Sequence, residues 1–164
     1  MTDQRDFAEF YAATFGSLAA QLHAFTGDFA EAQDLVQEAF CRAYPRWGRV
    51  SRYDDPAAWV RRVAWNLAVS RWRQLKRLTH LRHDLVPPPV DGPGALHVDL
   101  LRALQALPPR QRQAVVLRYV GDLSIADIAE VTGVAGGTVK SWLHRARAVL
   151  NERLSDSAGE VSHA

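Results

Sequence analysis

The chain has 164 residues, 48% of them apolar, and a formal net charge of +2. That suffices for a soluble core in one ordinary domain or two small ones, each with little stability to spare on its own. A single cysteine, Cys41, excludes an internal disulfide framework and fits a reducing, cytoplasmic setting; the acidic start MTDQRDFAEF excludes a signal peptide, and no apolar run approaches the roughly 20 residues of a membrane span.

Helical spacing of apolar residues dominates and alternating strand patterns are nearly absent. A first helix is predicted over residues 3–24, with Phe7, Phe10, Tyr11, Thr14, Leu18 and Leu22 near one face. Thr26-Gly27-Asp28 breaks it, and Asp28 is placed to cap a second helix, from about Phe29 to Tyr44. The inner stripe there is Ala32, Leu35, Val36, Ala39, Phe40 and Ala43; Cys41 is read as a small core residue beside it. Glu31, Asp34, Gln37 and Glu38 occupy the opposite side.

Pro45 is expected to end that helix and open a connecting loop over residues 45–54. Asp55-Pro56 then reads as a cap followed by proline at the first helical position. The third helix should run to about Arg77, with Val60, Val63, Ala64 and Leu67 inside. A proline- and glycine-rich linker is expected over residues 78–96, centred on DLVPPPVDGPGA, extended and not helical. Helical pattern resumes near His97, and Pro108-Pro109 separates a short helix over 97–106 from another over about 110–120.

Charge is unevenly spread. Residues 1–40 hold seven acids against Arg5; residues 41–77 hold ten bases against Asp54 and Asp55. Blocks of opposite sign point to different partners, a basic protein surface for the first and a polyanion for the second. Tryptophans inside the basic block favour that reading over a merely solvated face.

Residues 124–150 carry the strongest local pattern. Ser124 can cap a helix over Ile125 to Thr132, Gly133 stands where a tight turn needs positive φ, and a second helix starts near Gly137-Thr138. Ile128, Ala129, Val134, Val139 and Leu143 occupy the packing positions between the two helices, with Ala146 and Leu150 extending the inner stripe. This is a helix-turn-helix. The outer face offers Thr138, Lys140, Ser141, His144, Arg145 and Arg147, the donor-rich set suited to the major groove. Residues 155–164 read as a disordered tail.

The segments LPPRQRQAVVLRYVGDL, SIADIAEVTGVAGG and TVKSWLHRARAVL, together with GDFAEAQDLVQEAFCRAY and DDPAAWVRRVAWNLAVSRWR, resemble extracytoplasmic-function (ECF) sigma factors of bacterial RNA polymerase over roughly residues 5–154. The resemblance implies an all-α fold of two small helical domains joined by the linker, the C-terminal one a helix-turn-helix. Residues 1–77 would bind core RNA polymerase and recognise and melt the minus-ten element, and 97–154 would read the minus-thirty-five element. In the family the DLVQE segment binds the polymerase, which maps to Asp34, Leu35, Val36, Gln37 and Glu38. An acidic, amide-bearing helix face suits a basic partner.

Promoter DNA would be met twice: as a duplex by the recognition helix, and as a melted single strand by Trp47, Arg49, Arg52, Arg61, Arg62, Trp65, Asn66 and Arg73, where cations hold phosphates and flat rings replace lost stacking. Trp59 aligns with a core aromatic of the family; Trp65 and Trp72 are open to either stacking or covering the inner stripe. Trp142 departs from the family pattern and is open to core packing or contact with a thymine methyl. Ala135-Gly136-Gly137 lacks a strong side-chain cap, which leaves amides for a phosphate. The resemblance also implies control by an anti-sigma factor, with no enzymatic activity, cofactor, metal or membrane association. His80 and His83 lie three apart with no further ligand nearby, the pattern of a surface pair. A plain DNA-binding regulator would explain residues 108–153 only, an enzyme would need a nucleophile, metal or phosphate-loop pattern that the chain lacks, and a polymerase-only adaptor would leave the basic recognition helix idle.

Overall fold

A computed structural model describes residues 2–81 and 98–161. The expected linker from 82 onward, His83 and residues 162–164 lie outside the described residues. The chain forms two compact units, Met1–Pro88 and Pro89–Ala164. The described residues are helical, without strands.

In the first unit, α1 (Thr2–Thr26) and α2 (Phe29–Ala43) form a hairpin. Gly27 turns the chain at φ +73°. Asp28 takes extended dihedrals and its Oδ1 accepts from Glu31 N at 3.1 Å, satisfying an amide that the first turn leaves unpaired. All six residues of the predicted α2 stripe are buried.

Beyond α2 the structure departs from a loop. Tyr44–Arg46 is a 3₁₀ turn and α3 (Trp47–Val50) follows directly. Pro45 does not break the helical path because it sits near the start of that turn, where a missing N–H costs little. Asp55 Oδ1 accepts from Ala58 N at 3.0 Å and starts α4 (Pro56–Leu81), four residues longer than expected. The inner side of α4 is Val60, Ala64, Trp65 and Ala68; Val63 and Leu67 are only half-buried.

In the second unit, α5 (Val98–Gln105) and α6 (Pro109–Tyr119) are joined through Arg112. Its guanidinium is buried and donates to Gln105 Oε1, Gln105 O and Leu107 O, each at 3.1 Å. These bonds satisfy carbonyls that the end of α5 would otherwise orphan. Burial lowers the Arg112 pKa to about 10, so it still carries its charge at neutral pH.

Ser124 caps α7 (Ile125–Thr132), its Oγ accepting from Asp127 N at 3.1 Å. Gly133 follows at φ +72°. Its N–H and that of Val134 both return to Ala129 O, at 2.9 and 3.2 Å, closing the helix. α8 (Gly136–Val161) packs on α5, α6 and α7, with Val139, Leu143 and Ala146 buried. It runs through most of the segment expected to be a disordered tail; Ser155 Oγ bonds back to Asn151 O at 2.6 Å, and extending a formed helix adds one hydrogen bond per residue fixed.

Gly133→Ala is expected to cost about 1–2 kcal/mol, since a side chain is disfavoured in the left-handed region. An added Cβ meets no atom within 4 Å, so the loss is purely conformational. Urea titration followed by circular dichroism measures it.

Candidate protein-binding and nucleic-acid surfaces

α2 turns 100° per residue, and this decides which part of DLVQE faces outward. Asp34, Gln37 and Glu38 are exposed, whereas Leu35 and Val36 are 2% and 0% accessible. The last two are therefore core residues, not contacts for a partner. Cys41, one turn beyond Gln37 and Glu38, is exposed and shares their face instead of filling the core.

Contacts within the unit shape this face. Glu38 Oε1 pairs with Arg42 Nη2 at 2.6 Å. Gln37 Oε1 accepts from Tyr11 OH at 2.8 Å. Beside it, Glu31 Oε1 lies 3.3 Å from Arg71 Nε. Partial burial raises the Glu31 pKa; Arg71 opposes the shift, and Asp28 and Asp34 add to it. Arg71 is thus directed toward α2.

The basic surface loses two of its predicted rings. Trp47 is 6% accessible, with ring centroids of Phe10 and Phe7 at 4.9 and 5.2 Å. Trp65 is fully buried; its Nε1 donates to Gln21 Oε1 at 3.2 Å and Phe25 lies edge-on at 5.1 Å. Neither can stack on a base without leaving the core. For Trp65, which the sequence leaves open, α4 turns the ring inward beside Ala64, the covering alternative; Trp47 escapes sequence spacing because α3 tucks it under the first turns of α1.

The remaining members stay outside. Arg49, Arg52, Arg62, Asn66 and Arg73 are exposed and Arg61 is half-exposed. Arg62, Asn66, Ser70, Arg73 and Arg77 recur every three or four residues, forming one exposed stripe along α4. Rings still accessible in this region include Trp72, half-exposed with Lys76 Nζ 4.9 Å from its centroid, Trp59, also half-exposed, Tyr44, and Tyr53 at the end of the loop. Tyr53 is not singled out by sequence, because it lacks the helical register that marks the others.

On α8, Thr138, Lys140, Ser141, His144, Arg145 and Arg147 are all exposed, opposite the buried Val139–Leu143–Ala146 stripe. Arg147 Nε donates to Tyr119 OH at 2.6 Å, with its guanidinium 5.5 Å from the ring centre. Trp142 is half-buried on the flank. The helix begins without a side-chain cap; Thr138 and Val139 N–H groups bond to Ala135 O at 3.0 and 3.3 Å.

Among the described residues no helix is long and apolar enough to cross a membrane.

Comparison with known proteins matches both halves. A family model described as Sigma-70 region 2 matches residues 10–78, and one described as Sigma-70, region 4 matches residues 97–150. The RNA polymerase sigma-E factor of Streptomyces coelicolor is 34% identical, covering 94% of this chain and 89% of that protein. The ECF RNA polymerase sigma factor SigW of Bacillus subtilis is 28% identical over 94% of this chain and 91% of its own. Among solved structures, the sigma factor RpoE, in complex with the anti-sigma factor NepR from Bartonella quintana, matches with a TM-score of 0.75 at 26% identity, over 92% of this chain and 98% of that one.

Proposed function

Because the chain belongs to the extracytoplasmic-function sigma factors, we propose that its exposed surfaces divide the work of promoter-specific initiation. The Asp34–Gln37–Glu38 face of α2 docks on core RNA polymerase. The Arg62–Asn66–Arg73 stripe of α4, with Arg49, Arg52 and Arg61, holds the melted minus-ten strand. Thr138, Lys140, Ser141, His144, Arg145 and Arg147 of α8 engage the minus-thirty-five duplex. In domain terms, residues 1–77 carry the first two tasks and 97–154 the third, with 78–96 as the connection.

One observation carries this reading: α4 buries Trp65 and Ala64 while exposing a stripe of Arg62, Arg73 and Arg77 with Asn66 and Ser70 between them. Cations bind phosphates whatever the sequence, and an amide can pair with a base edge. Stacking would fall to accessible rings such as Trp72 and Tyr53, each contributing about 1–3 kcal/mol per base.

The chain itself performs no chemistry on this reading and acts in the cytoplasm, where the polymerase supplies catalysis. Its two small units gain useful promoter affinity only when the polymerase fixes their spacing, so the free chain binds DNA weakly. The likeness to a sigma factor solved with an anti-sigma factor supports control by a protein that covers these surfaces.

Arg62→Glu and Asn66→Ala are expected to lower promoter opening roughly tenfold or more, since each removes a charge-assisted or base-edge contact. Affinity for core polymerase should stay at the parent value. Fluorescence of a base analogue in the minus-ten element reads the opening, and titration with polymerase reads the docking. Equal loss in both would contradict the division of labour.

A further inference from the structure

Tyr11 lies on α1, with its ring centroid 4.8 Å from Phe40 and 5.0 Å from Phe15. Those contacts hold the ring, so the hydroxyl is delivered to a fixed point. There it donates to Gln37 Oε1 at 2.8 Å, across 26 residues of chain. Gln37 is otherwise an exposed residue in the middle of the Asp34–Gln37–Glu38 face, where a long side chain ordinarily keeps its rotamer freedom. With one Oε1 lone pair engaged, a second acceptor site and both Nε2 hydrogens remain, and the donors are the groups left wholly unengaged for a partner. Glu38 pairs in its turn with Arg42 across one turn of α2, a solvent-exposed contact.

Resting on the assignment of this face to the polymerase, we propose that Tyr11 is a positioning residue for docking: it orients the Gln37 amide with both donors free, and those donors meet a hydrogen-bond acceptor of the polymerase, a carboxylate or a carbonyl. Tyr11 acts through Gln37 and has no separate contribution. Ordering a flexible side chain in advance improves affinity by lowering the cost of immobilising it on binding.

The test is a double-mutant cycle on the full chain, read as affinity for core polymerase. Tyr11→Phe keeps the ring contacts and removes the hydroxyl. It is expected to weaken binding about three- to tenfold, and Gln37→Ala by at least as much. In the Gln37→Ala background, Tyr11→Phe should change nothing further, a coupling that a purely structural tyrosine would not give. Gln37→Glu, of the same shape but without donors, should bind no better than Gln37→Ala. Parent-like binding by Tyr11→Phe, or full additivity in the double variant, overturns the positioning role. Parent-like binding by Gln37→Glu overturns the acceptor assignment. If Gln37→Ala itself binds as the parent does, the docking face is wrongly assigned and the inference falls with it.

Discussion

Trp65→Ala is expected to destabilise the first unit by about 3–5 kcal/mol, the range for removing a large buried aromatic. Trp65 is among the largest fully buried side chains of the chain. Its removal opens a cavity against Phe25 and strips Gln21 of a donor. Gln21 is itself 2% accessible, so its carbonyl oxygen has no ready route to water. A domain of this size has total stability on the order of 5–15 kcal/mol, so the loss removes a large part of the margin. Trp65→Phe keeps an aromatic edge against Phe25 and forfeits the hydrogen bond, for about 1–3 kcal/mol. Urea unfolding followed by far-ultraviolet circular dichroism ranks the three proteins. A Trp65→Ala variant as stable as the parent would return Trp65 to the surface and to direct contact with DNA.

Much of the architecture is legible in local chemistry. Asp28, Asp55 and Ser124 each cap the helix that their position predicts, because a short acceptor side chain before an apolar run has one favourable use. Gly133 adopts the positive φ that the turn between α7 and α8 demands. The α2 stripe is buried in full, since six apolar residues at helical spacing leave one way to face a core.

What escapes sequence reasoning depends on rotation and on tertiary contact. Periodicity puts Leu35 and Val36 on the inner stripe, whereas the DLVQE motif taken whole groups them with Asp34, Gln37 and Glu38; their burial decides for the stripe. Cys41 follows the buried Phe40 and is rotated 100° away from it, onto the exposed face. Trp47 and Trp65 sit among arginines in sequence, yet Phe7, Phe10 and Phe25 arrive from α1 to bury them. Arg112 lies in the polar run PRQRQ, where nothing in the sequence singles it out; only the fold brings the carbonyls of Gln105 and Leu107 to its guanidinium. Tyr11 looks like one more aromatic of the α1 stripe until α2 places Gln37 against its hydroxyl.

The central claim is that the exposed face of α2 is the polymerase-docking surface. Gln37→Ala combined with Glu38→Lys removes the amide donors, reverses a charge and turns the Glu38–Arg42 attraction into repulsion. Both positions are exposed, so the fold should survive: surface substitutions usually change stability within about 0.5 kcal/mol. Against a partner chosen for acidic and amide groups, the same change acts on several contacts at once, and a loss of roughly 100-fold or more in affinity, about 2.7 kcal/mol, is expected. The direct measurement is co-elution of the parent and the double variant with sigma-free core polymerase, each with its helicity verified beforehand. Co-elution of the parent and failure of the folded variant is the predicted result; a variant that co-elutes as the parent does, or a folded parent that does not bind at all, would contradict the account.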